Sequence, residues 1–108
     1  MPVIVDASAQ LPPVSNSWHV TMELGAGVAI LSGGKGRAGP QNSGLVVGRD
    51  AMIQALRLNG PSSQRFGRAM KVAKETMIGL LAAVELYLST DHAARAAEWS
   101  AVVDSWRS

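Results

Sequence analysis

One stretch limits what this chain can fold into: Gly27-Val-Ala-Ile-Leu31 running straight into Ser32-Gly33-Gly34-Lys35-Gly36. A short run rich in branched apolar residues and bounded by glycines reads as a buried strand. Lys35 therefore falls just past the carboxyl end of a core strand, the edge of an open α/β sheet at which ligands bind. A lysine held among glycines there can lose some of its basicity and attack carbonyl carbons. Three readings share the stretch: an ordinary solvated loop, a phosphate-cradling loop, and a lysine that holds a carbonyl cofactor. The phosphate-loop pattern needs Gly four residues before the Gly-Lys pair and Ser or Thr after it. Ala29 and Gly36 stand at those positions, so that reading fails twice.

The rest of the chain supplies the partners such a strand needs. Val3-Ile4-Val5 reads as a short buried strand ending at Asp6. A carboxylate at that strand end is either a turn or cap residue or a charge partner for something bound above the sheet, since burying it unpaired is costly. Ser15 to Leu24 predicts a helix with Trp18 and Met22 together on one side and Gly25 past its end. His19 on that helix reads as a surface residue. Leu45-Val46-Val47 predicts a third strand. The connector Gly39 to Gly44 is too short for a crossover, so this strand should run antiparallel to its predecessor or lie apart from it. Asp50 opens a further helix with Met52, Ile53 and Leu56 inward and Asn59-Gly60 closing it. A long helix from about Val72 carries Ala73, Met77, Leu80, Leu81, Val84 and Leu88 as its apolar stripe. Ser89-Thr90-Asp91 breaks it and recaps a last helix with Trp99, Val102, Val103 and Trp106 on one face.

Bulk properties exclude several classes. The 108 residues are enough for one domain, and 47% hydrophobic with 17% charged residues is globular rather than disordered. A net charge of +2 without a basic cluster gives no case for nucleic acid. No apolar run approaches the ~20 residues of a membrane span, and no signal segment is evident, so a cytoplasmic location is expected. The absence of cysteine removes disulfides, thiolate metal sites and thiol nucleophiles, and no metal is expected. The amino end runs directly into a strand and the carboxyl end stops inside a helical pattern. Both are expected of a chain that forms part of something longer.

Taken together, Asp6 at one strand end, Lys35 beyond the next, and Ser32 three residues before the lysine resemble fold-type I (aspartate aminotransferase-like) enzymes that use pyridoxal 5'-phosphate. The wording Val-Asp-Ala-Ser-Ala-Gln-Leu-Pro-Pro, Ser-Gly-Gly-Lys-Gly, Gly-Pro-Gln, Ser-Gly-Leu and Gly-Arg-Ala-Met-Lys-Val is similar to the branch of L-seryl-tRNA(Sec) selenium transferase and D-glucosaminate-6-phosphate ammonia lyase. This resemblance runs over nearly the whole chain. It implies an α/β fold, the second half of the large cofactor-binding domain with the start of the small one: residues 1–70 cofactor-binding, 71–90 an interdomain helix, 91–108 the beginning of the small domain. It implies a Schiff-base lysine at Lys35, an aspartate facing the pyridine nitrogen at Asp6, Ser8 near the ring and Ser32 at the phosphate. Arg68 is either a group for a substrate carboxylate or phosphate or a surface arginine. The implied activity is a lyase or transferase that removes a Cα proton from an amino-acid-like substrate and expels a β-substituent. Family members are homo-oligomeric, and nothing in this segment is built for tRNA. The competing expectation is a non-catalytic remnant that serves as an interaction or assembly module.

Overall fold

The computed structural model describes residues 1–107 as a small α/β domain: four helices and one mixed three-stranded sheet. Three strands, β1 (Ile4–Asp6), β2 (Val28–Ser32) and β3 (Gly44–Gly48), lie in the order β1-β2-β3. β1 pairs with β2 in parallel, Ile4 opposite Val28 and Asp6 opposite Ile30. The intervening chain holds α1 (Asn16–Met22), which makes the crossover a parallel pair requires. β3 returns antiparallel, with Ile30 opposite Val46 and Ser32 opposite Gly44, as its short connector dictates.

Side chains alternate between the two faces of the sheet. Ala29 and Leu31 are buried on one face, with Ala7 and the half-buried Val5, Val20, Leu45 and Val47 around them. Val20 brings α1 onto this face. The opposite face carries Ile4, Ile30 and Val46, which are 61%, 42% and 41% exposed. Val28, on that same face, is closed off near Gly48. β2 is thus covered fully on one side only, and β1 is an exposed edge rather than the buried strand its sequence suggests.

The helices form where expected but turn differently. In α1 the buried residues are Ser17 and Thr21, while Trp18 and Met22 face solvent. Gly25 closes the helix with φ +80°, a conformation glycine adopts without a steric penalty. α2 (Asp50–Asn59) buries Met52 and Ile53 partly and leaves Leu56 exposed. A 3-10 turn, Phe66–Met70, precedes α3 (Lys74–Ser89). The inner side of α3 is Leu80, Ala83, Val84 and Tyr87, whereas Met77, Leu81 and Leu88 are exposed. Asp91 caps α4 (His92–Arg107): its Oδ1 accepts from the backbone N–H groups of Ala93 and Ala94, both at 3.0 Å. No residue of α4 is buried, and Trp99, Val102, Val103 and Trp106 all meet solvent.

Candidate functional site at the strand ends

The loop after β2 is locked from below. Gly33 N–H donates to Ser43 C=O at 2.9 Å and Gly39 N–H to Gly33 C=O at 2.8 Å. A Cβ at Gly33 would come 2.7 Å from Leu80 Cδ1, and one at Gly34 would come 2.6 Å from the Gln41 backbone. One at Gly79 would come 2.9 Å from Pro40 Cγ. The glycines therefore let α3 and the connector close on the loop. A turn from Lys35 to Ala38 follows, with Ala38 N–H on Lys35 C=O at 2.9 Å and Ala38 in the left-handed region at φ 55°. An alanine there carries strain of about 1–2 kcal/mol, so the turn is held by its surroundings.

Above this cradle the parallel pairing of β1 and β2 sets two strand ends side by side. Asp6 ends β1 opposite Ile30, and Ala7 N–H continues the ladder to Ile30 C=O at 2.8 Å. The chain then turns tightly, because Ser8 N–H donates to Asp6 Oδ1 at 3.0 Å. Lys35 Nζ reaches across 27 residues of sequence to donate to Ser8 Oγ at 3.5 Å. The Ser8 backbone N–H and then its hydroxyl hold the Asp6 carboxyl below its ordinary value; desolvation opposes them, and Lys35 adds the smallest attraction. An ammonium, a hydroxyl and an ionised carboxylate so line one open, solvent-facing ledge.

Three of the five candidate residues, Asp6, Ser8 and Lys35, converge. Ser32 stands at the end of β2, opposite Gly44 and on the sheet face of Ile30. Arg68 is elsewhere. Its Nη1 donates to Pro61 C=O at 3.0 Å, and it lines a cleft of about 430 Å³ together with Ser43, Lys71, Thr76, Met77 and Leu80. His19 pairs with Glu23 one helical turn on, at 2.9 Å, on the surface of α1. Among the described residues no cluster of His, Asp and Glu has the makings of a metal site, and no helix is long and apolar enough to cross a membrane.

One residue escaped the sequence reading. Arg37, two positions after Lys35, is 5% exposed and donates from Nη2 to Ser17 Oγ at 2.9 Å. Its guanidinium lies 5.5 Å from the centre of the Tyr87 ring. It ties the lysine loop to α1 and α3 at once. Its position between Gly36 and Gly39 hides it among turn signals. The only hint was a charged residue inside an otherwise small, tightly packed loop.

The chain is 34% identical over 105 residues to a D-glucosaminate-6-phosphate ammonia lyase of Salmonella typhimurium (strain 14028s / SGSC 2262), a match over 97% of this chain and 26% of that protein. It is 36% identical over 98 residues to a 5'-C-glycyluridine monooxygenase-decarboxylase of a Streptomyces species, over 91% of this chain and 22% of that protein. No protein-family model and no solved structure matches it. The chain thus spans about a quarter of the length of the curated relatives it matches, both of them enzymes.

Proposed function

We propose that the ledge formed by Asp6, Ser8 and Lys35 is the strand-end half of a pyridoxal 5'-phosphate site in a lyase or transferase of amino-acid-like substrates. The observation that carries this reading is the meeting of Lys35 Nζ with the Ser8–Asp6 turn across two parallel strand ends. The similarity to an ammonia lyase supports the lyase side.

The residues present fit the group. Asp6 keeps an ionised carboxylate in the open, the partner a protonated pyridine nitrogen requires. Lys35 offers a solvent-facing primary amine to an aldehyde carbon. Gly34 and Gly36 add no side-chain bulk beside it, and Ser32 provides a hydroxyl for the phosphate. When bound, pyridoxal phosphate supplies an electron sink for the pair left on a substrate carbon after its proton departs. Lys35 is the base placed to take that proton and to return it. Ser8 Oγ, the acceptor of the Lys35 bond, orients the amine. A second reading, an interaction module without catalysis, is favoured by the exposed apolar face at Ile4, Ile30 and Val46.

Borohydride reduction in the presence of pyridoxal phosphate separates the two. The cofactor mass should appear on the peptide containing Lys35 and vanish in Lys35→Ala. Label on Lys71 or Lys74 instead removes Lys35 from the site. Asp6→Asn should keep the label but slow exchange of a substrate Cα proton into deuterated solvent, and unchanged exchange removes Asp6.

A further inference from the structure

Arg37 is a buried cation with one hydrogen bond. Among the described residues its Nη1 has no partner and no carboxylate lies within ion-pair range. Arginine does not shed its proton in proteins, and a buried charge without a counter-charge is costly. Burial accordingly pushes the guanidinium down from its ordinary value, and only Tyr87 acts against that. Tyr87 is equally buried, 5% exposed, and its hydroxyl also lacks a partner. Its ring meets both Arg37, 5.5 Å from the ring centre, and His92, whose ring centre is 4.3 Å away.

Tyr87 and His92 open onto a cleft of about 130 Å³ whose other walls are Leu11, Pro12, Gly36, Arg95 and Trp99. Among the described residues no acidic side chain lines it. His92 Nε2 donates to Tyr87 C=O at 2.8 Å, which fixes the ring beside the cleft. Arg95 also lines the cleft, its guanidinium over Trp99 at 5.4 Å from the ring centre. Two guanidiniums, an imidazole and an unpartnered phenol therefore gather beside the lysine loop, with nothing negative among them.

We propose that this cleft, backed by Arg37, binds a small oxyanion of the phosphate class. The size of the cleft suits a single tetrahedral group. Guanidinium forks match its oxygens, and the excess of positive groups favours a dianion over a monocarboxylate. The site stands on residues other than Asp6, Ser8 and Lys35 and does not depend on the reading of that ledge.

Inorganic phosphate is the probe, titrated into the whole chain by calorimetry and thermal melting against sodium chloride of equal ionic strength. Saturable binding and a raised melting temperature with phosphate alone are expected. Arg95→Gln, at the cleft wall, should weaken binding about tenfold or more, as loss of a charge-assisted bond does. Tyr87→Phe removes a buried hydroxyl that has no partner. It should leave the phosphate-free chain as stable as before or more so, and still weaken phosphate binding. Comparable affinity for glycerol 3-phosphate supports the site as one for a phosphate carried on a substrate, and binding of inorganic phosphate alone supports it as a free-anion site. Equal response to chloride, or phosphate affinity unchanged in both Arg95→Gln and Tyr87→Phe, overturns the proposal.

Discussion

At the scale of the residue, the Asp6 carboxyl is set by its neighbours in a definite order. The Ser8 backbone N–H contributes most, the Ser8 hydroxyl next and Lys35 least among the groups that lower it. Its folded-state value is depressed. The bonds to Asp6 therefore favour the fold fully above the ordinary carboxylate range near ~3.9 and are lost as the pH falls through the lower folded value. A carboxyl titration followed by NMR should give a midpoint for Asp6 below that of an unstructured aspartate. Ser8→Ala should raise it only part of the way, because the backbone donor stays. Lys35→Ala should raise it less than Ser8→Ala does. A midpoint that responds more to Lys35 than to Ser8 would show that charge attraction, not the tight turn, governs this site. Asp6 and Lys35 were legible in the sequence because strand ends attract notice. Arg37 was not, because a guanidinium is expected in water and only packing reveals that it is enclosed.

Among the elements, β2 and β3 were the most legible. Branched runs bounded by glycine located β2 and β3, and the short Gly39 to Gly44 connector left β3 either antiparallel to β2 or apart from it, of which the first is found. Helix faces were harder. α3 carries Ile78, Leu81, Leu86 and Leu88 on the side facing solvent, so its apolar residues surround it and periodicity cannot choose the buried side. What chooses is the shape of its partner. The loop after β2 offers Gly33, Gly39 and Pro40, and α3 answers with Leu80, Ala83 and Gly79. Gly33→Ala tests this lock directly. The new methyl would meet Leu80 and Ser43, whose hydroxyl donates to Pro40 C=O at 2.6 Å. Overpacking of this kind costs about 1–3 kcal/mol and shifts the loop that carries Lys35. A lower melting temperature together with weaker borohydride labelling is the expected pair of effects. A Gly33→Ala variant as stable and as reactive as the original would show that α3 does not position the lysine.

The whole molecule is long for its size. Its radius of gyration is 16.3 Å and its extents are 57 × 33 × 22 Å, where a compact chain of this length has a radius near ~13 Å. The excess length goes with an α4 that has no buried residue and a sheet with one open face. On that face Ile4, Ile30 and Val46 come from three adjacent strands and form one apolar surface, with Val3 exposed just before it. Each large apolar side chain left in water forgoes roughly 1.5–3 kcal/mol of burial, a large share of a net stability of ~5–15 kcal/mol when several do so together. The free edge of β1 adds unpaired backbone groups beside them, and apolar faces next to open edges associate. We expect this chain to sediment as concentration-dependent oligomers at micromolar concentration. Ile30→Lys combined with Val46→Lys should shift it toward the monomer, because both positions are already wet and neither lies in the buried cluster around Ala29 and Leu31. On the buried side, Ala29→Lys combined with Leu31→Lys should abolish folding instead. A chain that stays monomeric across that concentration range and melts in one cooperative step would show that the open face is stable in water as it stands.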